Sequence, residues 1–151
     1  MKINNTLIPK DVIKILNILS TAGYKAYLVG GCVRDMILGV TPHDWDITTS
    51  AHPDDIVKTM KTNGIPTLNI GEHYGTITAM LNGCGYEITV YRSESGYSDT
   101  RHPDKIKFVS SIHEDLSRRD FTINAMAYNP LDNELIDDYN GFGDLENRTI
   151  R

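Results

Sequence analysis

Hydrophobic and polar positions along the first half of the chain alternate between a helical and an extended period. Residues 9–23 and 52–64 carry apolar side chains at helical spacing, and in each a proline stands near the start and a glycine at the end. Three shorter segments stand around these helices: residues 25–29 predict a strand, residues 32–39 a short helix, and residues 45–49 a second strand.

The second half of the chain predicts a hairpin followed by less regular structure. Residues 76–83 and 86–92 read as two strands around "NGCG", and residues 93–107 are polar and rich in turn formers, which predicts a mobile loop. The segment "SIHEDLSRRDFTINAMAY" begins with a helical pattern, and the chain ends in a tight turn and a polar, glycine-bearing stretch. Interleaved helices and strands with a hairpin favour an α/β or α+β sheet with helices packed on it.

Composition limits the classes of protein that this chain can represent. It has 151 residues, which suits one domain, and a hydrophobic content of 40%, which suffices for a core. The net charge of −5 argues against a strongly basic, free-standing nucleic-acid binder. The two cysteines fit no zinc or disulfide spacing and predict reduced thiols in a cytoplasmic protein. No apolar run approaches the ~20 residues of a membrane span, and the first residues lack a signal-peptide core.

Two aspartates in "HDWDITT" are the first candidates for chemistry. On a strand, side chains two residues apart point to the same face, so Asp44 and Asp46 present adjacent carboxylates while Trp45 and Ile47 point to the core. Adjacent anions repel each other, and a bound divalent cation removes that cost. Carboxylate oxygens on few residues suit Mg²⁺. The alternative is a solvated pair of acids at a strand end.

A pair of glycines just upstream strengthens the metal hypothesis. Gly30 and Gly31 follow a strand and open a short helix, which lets backbone N–H groups approach a phosphate closely. Arg34, inside that helix, could fork onto phosphate oxygens. The alternative is a tight strand-to-helix turn in which Arg34 pairs with Asp35. Nucleotidyl transfer needs a phosphate cradle and a metal-binding pair together.

These motifs resemble a known family. "LVGGCVRDMILG...HDWDITTSAHPDDI", "EDLSRRDFTINAMAYN" and "LIDDYNGFGDLENRTIR" are similar to the bacterial CCA-adding tRNA nucleotidyltransferases and poly(A) polymerases, within the polymerase-beta-type nucleotidyltransferase superfamily. The resemblance runs from about residue 24 to the end. It implies the catalytic head domain, a small twisted mixed sheet flanked by helices.

The resemblance also implies roles for individual residues. Asp44 and Asp46 would hold two Mg²⁺ ions, and a second group of residues would contact the nucleotide or line its pocket: Gly30, Gly31, Arg34, Arg119, Asp120 and Asn124. For Arg118 and Arg119, the alternative is a solvated helix end, or pairing of Arg119 with neighbours of Asp120.

A third carboxylate is expected near the aspartate pair. In "YEITVYR", alternation turns Glu87 away from the face that Tyr86, Ile88 and Val90 share. If the neighbouring strand carries the aspartates, Glu87 assists metal binding or takes the proton from the attacking hydroxyl. A solvent-facing glutamate without a catalytic role is the alternative.

The implied function is metal-dependent addition of CTP and ATP to the 3′ end of tRNA, with release of pyrophosphate. Relatives continue into a helical neck, expected to start around residues 141–151, and into tRNA-binding domains that residues 1–151 do not contain. We therefore expect a fragment of a longer enzyme. Poly(A) addition, a stand-alone nucleotidyltransferase with another acceptor, and a non-catalytic nucleotide- or RNA-binding module are the alternatives.

Overall fold

The structure is a computed structural model, and it describes residues 3–95 and 105–151. Fourteen helices and strands follow one another through these residues: α1 (Lys10–Thr21), β1 (Ala26–Val29), α2 (Gly31–Ile37), β2 (Asp46–Thr49), α3 (Pro53–Thr62), β3 (Thr67–Leu68), β4 (Thr76–Leu81), β5 (Cys84–Val90), β6 (Arg92–Ser95), β7 (Lys105–Phe108), α4 (Ile112–Ser117), β8 (Ala127–Asn129), β9 (Glu134–Ile136) and α5 (Gly141–Glu146). Short 3₁₀ turns lie at Asn5–Leu7, Glu72–Tyr74 and Thr122–Asn124.

Seven strands form one mixed sheet in the order β3-β4-β5-β2-β1-β8-β9. Strands β2 and β5 run parallel, and the other neighbouring pairs of this sheet run antiparallel. The predicted fold class, a small mixed sheet flanked by helices, is confirmed. Within the described residues, no helix is long and apolar enough to span a membrane.

The two faces of the sheet have different covers. On one face Leu28, Ile47 and Ile88 pack with α1, α2 and α3 in the main core. On the other face Tyr27 and Tyr91 join a smaller cluster with Ile112 and Leu116 of the α4 helix. Alternation along each strand produces this division. Alternation with Ile47 and Ile88 places Asp46 and Glu87 on this second face, near the start of β2 and β5.

The predicted hairpin is present with a shorter turn than expected. Asn82 and Gly83 both have positive φ, at 50° and 80°. This matches the type I′ turn, whose twist suits antiparallel strands. Cys84 and Gly85 of the "NGCG" stretch already belong to β5.

The prediction of a mobile loop over residues 93–107 was wrong at both ends. Strands β6 and β7 pair antiparallel as a two-stranded ribbon, with Arg92 opposite Phe108 and Ser95 opposite Lys105. The polar sequence does not indicate these strands, because a narrow two-stranded ribbon buries few side chains and so needs few apolar residues. Phe108 anchors it by stacking edge-on against His52 and lying beside Gly75. Residues 96–104 of the predicted loop lie outside the described residues.

The chain after Phe121 contains more regular structure than the sequence indicated. Strands β8 and β9 form a hairpin that extends the sheet beside β1. Helix α5 packs on the 3₁₀ turn Thr122–Asn124 so tightly that a side chain at Gly141 would collide with the Thr122 carbonyl. The buried Asp144 accepts a hydrogen bond from the Thr122 hydroxyl at 2.5 Å and one from Arg151 Nε at 3.1 Å. That the neck starts within 141–151 stays a prediction.

Candidate active site

The two aspartates lie at the N-terminal end of β2. Asp46 is the first residue of the strand, and Asp44 stands two residues earlier, just outside it. Both are exposed, whereas Trp45 and Ile47 between and beside them are buried in the main core. The predicted division between a carboxylate face and a core face is therefore present, although only Asp46 belongs to the strand itself.

Glu87 is the register partner of Asp46 across the parallel strand pair. Partners in neighbouring strands point to the same face of a sheet, so the two carboxylates stand side by side. Burial of the Asp46 carboxyl group raises its pKa most, and repulsion from Glu87 raises it further. Asp44 contributes further repulsion, and Arg119 opposes the shift. Because the Asp46 residue as a whole is exposed, its carboxylate remains open to a ligand.

A groove opens beside these acids at the same end of β2 and β5. Its volume is about 650 Å³ and its lining residues are Pro9, His43, Asp44, Trp45, Asp46, Cys84, Gly85, Tyr86 and Glu87. No group of three or more His, Cys, Asp or Glu side chains in the described ranges already stands in a metal-binding cluster. The three carboxylates are nevertheless hard oxygen donors, so their chemistry fits Mg²⁺.

The glycine pair forms the turn between β1 and α2. Gly30 has φ +78° and ψ −138°, a conformation that is close to glycine-only. Gly31 begins α2, and a side chain on it would press against the Arg34 guanidinium, whose NH2 atom would lie 3.3 Å away. The turn thus brings glycine backbone close to the Arg34 guanidinium, and its use as a phosphate cradle stays a prediction.

Arg34 makes the ion pair with Asp35 that the sequence offered as the alternative to a phosphate contact, and the phosphate contact itself stays a prediction. Its Nε donates to Asp35 Oδ1 at 3.0 Å, and its NH1 donates to Asn124 Oδ1 at 2.9 Å. Its side chain remains 33% exposed. Asn124, which lies 90 residues away in sequence, therefore holds the arginine over the glycine turn.

Two residues of the "RRD" segment, Arg119 and Asp120, have different surroundings. The NH1 atom of Arg119 lies 3.5 Å from where a side chain on Gly30 would begin. The attraction between Arg119 and Asp46 influences the pKa of both groups. Asp120 is exposed, and its carboxylate accepts the N–H of the next residue, Phe121. The predicted nucleotide contact of Asp120 stays a prediction.

Sequence reasoning missed one residue of this region, the acid Asp115. It is fully buried in α4 and accepts hydrogen bonds from both arginines of the "RRD" segment. The spacings of three and four residues to Arg118 and Arg119 were visible in the sequence and could have indicated these pairs.

A mixed sheet with a glycine turn after one strand and acids on a neighbouring strand is the arrangement expected of a nucleotidyltransferase head domain. The family model for the poly A polymerase head domain matches residues 26–151, and the chain belongs to this family. The family membership inferred from the sequence motifs is confirmed.

Named relatives are similar over most of the chain. A CCA-adding enzyme of Lactobacillus delbrueckii subsp. bulgaricus is 48% identical over 137 residues, which are 91% of this chain and 33% of the relative. One from Lactobacillus johnsonii is 47% identical over 154 residues, covering 100% of this chain and 37% of the relative. The chain therefore spans about a third of the length of these relatives.

Solved structures show the same architecture. The crystal structure of a Bacillus stearothermophilus CCA-adding enzyme in complex with CTP matches with a TM-score of 0.80 and 36% identity, over 94% of this chain and 32% of that one. A tRNA nucleotidyltransferase complexed with a primer tRNA and an incoming ATP analog matches with a TM-score of 0.67 and 32% identity, over 91% of this chain and 38% of that one.

Proposed function

We propose that this chain is the catalytic head of an enzyme that adds CTP- and ATP-derived nucleotides to the 3′ end of tRNA. One observation carries the proposal: Asp46 and Glu87 are register partners on one sheet face, and Arg119 lies beside the glycine turn at Gly30 and attracts the Asp46 carboxylate. Carboxylates and a phosphate cradle thus stand together, as transfer of a nucleotidyl group requires.

The carboxylates would hold the metal. Asp44 and Asp46 would be the ligands of two Mg²⁺ ions, with Glu87 as a further ligand or as the base for the attacking hydroxyl. Bound Mg²⁺ supplies a lowered pKa for the 3′-hydroxyl and neutralises charge on the leaving pyrophosphate. The raised pKa of Asp46 supports this assignment, because mutual repulsion of the acids is the cost that a cation relieves.

The arginines and the glycine turn would hold the nucleotide. Gly30 and Gly31 expose backbone to the triphosphate, and Arg34 and Arg119 direct guanidinium N–H groups toward it. Asn124 would keep Arg34 oriented through the hydrogen bond between them. Such positioning and charge stabilisation are the main sources of rate in phosphoryl transfer.

The substrates follow from the named relatives. Among the similar solved structures, one CCA-adding enzyme was solved with CTP, and a tRNA nucleotidyltransferase was solved with a primer tRNA and an ATP analog. We infer the same partners here, and a cytoplasmic location where tRNA is processed. The net charge of −5 is unfavourable for binding RNA phosphates, so we infer that other domains of the full-length enzyme bind most of them.

The test is incorporation of radiolabelled nucleotide by the full-length protein in Mg²⁺. A tRNA that lacks its terminal CCA should become labelled from CTP and then ATP, and the Asp46→Asn variant should not label it. Sequencing the product ends separates CCA addition from a poly(A) tail. Labelling of a different acceptor would support a nucleotidyltransferase with another substrate, and no metal-dependent incorporation into any RNA would refute the proposal.

A further inference from the structure

A carboxylate outside the proposed catalytic set organises the arginines of the "RRD" segment. Asp115 lies in α4 with 0% of its side chain exposed. Its Oδ1 atom accepts from Arg118 Nε at 3.3 Å, and its Oδ2 atom accepts from Arg119 NH2 at 3.2 Å. The backbone N–H of Arg92, at the start of β6, donates to the same Oδ1 at 3.1 Å.

A buried carboxylate is stable only where donors satisfy it, and removing its partners is costly. Here the three donors come from two elements, helix α4 with its following turn and ribbon strand β6. Burial, and after it the charge of Arg118, lower the pKa of Arg119, and Asp115 opposes both. Through its hydrogen bond to NH2, the acid fixes a largely buried guanidinium in one place.

The position in which Arg119 is fixed faces the proposed nucleotide site. Its NH2 atom is taken by Asp115, while its NH1 atom lies beside Gly30. Its Nε atom is buried and has no hydrogen-bond partner among the residues the structure describes. A buried N–H without a partner is costly and is satisfied when a ligand accepts from it. The side chain of Arg119 as a whole is 18% exposed, so part of the guanidinium group is open to a ligand.

We propose that Asp115 is a positioning residue for nucleotide binding, which orients Arg119 so that its free N–H groups meet the triphosphate. This inference rests on the proposed function. Asp115 contacts no substrate itself and acts through Arg119. The hydrogen bond from Arg92 adds a second consequence: the same carboxylate ties the start of the β6–β7 ribbon to the nucleotide site.

The test compares Asp115→Asn with Glu114→Gln, an exposed acid one residue earlier on the same helix. Asparagine keeps the shape but can accept on only one side, so at least one of the donors loses its acceptor. In the full-length protein, Asp115→Asn should raise the KM for nucleotide about tenfold or more, the range for a charged hydrogen bond, and lower kcat less. Glu114→Gln should leave both parameters within about twofold of wild type.

A double-mutant cycle separates positioning from general stability. If Asp115 acts through Arg119, then adding Asp115→Asn to an Arg119→Ala background should change KM by less than about twofold. A full additional loss in that background would overturn the inference. If Asp115→Asn does not fold, Asp115→Glu keeps the charge and displaces it by one methylene, and an unchanged KM in this variant would also overturn it.

Binding of inorganic tripolyphosphate, followed by calorimetry, keeps this inference apart from the proposed function. A wild-type protein that binds tripolyphosphate but incorporates no nucleotide refutes the proposed function alone. Asp115→Asn that binds tripolyphosphate as tightly as wild type refutes the positioning role alone. Weaker binding by Asp115→Asn, with Glu114→Gln unchanged, is the expected result.

Discussion

Replacing Asp46 with asparagine should abolish nucleotide transfer and raise the thermal stability of the metal-free protein. The two effects have one cause. Asp46 stands beside Glu87, and burial and repulsion raise its pKa above the unfolded value. When the two carboxylates are both ionised, the folded state bears a repulsion that the unfolded chain relieves. Asparagine keeps the side-chain shape and removes the charge.

The size of the gain in thermal stability follows from the distance between the Asp46 and Glu87 carboxylates, which the strand register fixes. Neighbouring strands are about 4.8 Å apart, which places the carboxylates about 5 Å from each other. Two charges at that distance interact by about 0.8 kcal/mol in water and about 3 kcal/mol at a dielectric constant of about 20. Because Asp46 is an exposed residue, the lower figure applies. Loss of the attraction to Arg119 offsets part of it, which leaves a rise in Tm of about 2 °C for a chain of this size.

The assay is differential scanning fluorimetry in EDTA and in Mg²⁺, with labelled-nucleotide incorporation in parallel. In EDTA, Asp46→Asn should melt above wild type at pH 7, and the difference should shrink on acidification, because the cost of the ionised acid disappears as pH falls through the raised pKa of Asp46. Mg²⁺ should stabilise wild type and leave the variant unchanged. Incorporation should fall by about 10²–10³-fold or more.

Asp54→Asn is the matched control for charge removal. The chain carries a net charge of −5, so loss of any acid could stabilise it slightly. Asp54 is exposed in the first turn of α3, where an acid is favourable, so its replacement should leave Tm unchanged or lower it. An Asp46→Asn variant that melts several degrees below wild type, or that retains turnover within tenfold, would show that these acids are not the cation site inferred here.

Three further outcomes are expected. Gly141→Ala should lower Tm by several degrees in a melting assay, because its side chain would strike the Thr122 carbonyl and overpacking costs about 1–3 kcal/mol; an unchanged Tm would refute the tight docking of α5. Hydrogen bonding from Thr122 lowers the pKa of Asp144, so its stabilisation exists above the unfolded value near 3.8 and is lost in acid; the Tm gap between wild type and Asp144→Asn should close from pH 5 to pH 2, and a constant gap would contradict this. Burial raises the pKa of Cys32 to about 11, whereas Cys84 is exposed, so one thiol should react quickly with DTNB at pH 8 and a second only on unfolding.

The carboxylate site was predictable because it follows from local periodicity. Alternation places Asp44 and Asp46 opposite the buried Trp45, and it places Glu87 opposite Ile88. The register that joins Asp46 to Glu87 could only be assumed, since strand pairing depends on contacts between segments 41 residues apart. Parallel pairing of β2 and β5 is one of several arrangements that the same alternation permits.

The arginine network was hidden for a different reason. Glu114 and Asp115 open a short helix, where acids are common because they favour the helix N-terminus. Only the packing of α4 under the β6 strand shows that Asp115 is fully buried and therefore bound to Arg118 and Arg119. Likewise, nothing local connects Arg34 with Asn124. Polarity alone could not distinguish the β6–β7 ribbon from a loop.

The arginines and the catalytic acids of the site differ in whether the fold neutralises their charge. Arg34 pairs with Asp35, and Arg119 pairs with Asp115, which Arg118 shares. No salt bridge joins Asp44, Asp46 or Glu87 to a cation within the described ranges, so attraction to Arg119 relieves their repulsion only in part. The arginines of the site are thus held in place by the fold, because each one is bound by an acid that is buried or half-buried. Repulsion among the acids is what a bound cation would relieve, so we expect stability to depend on a divalent metal ion through Asp44, Asp46 and Glu87 and not through the arginines.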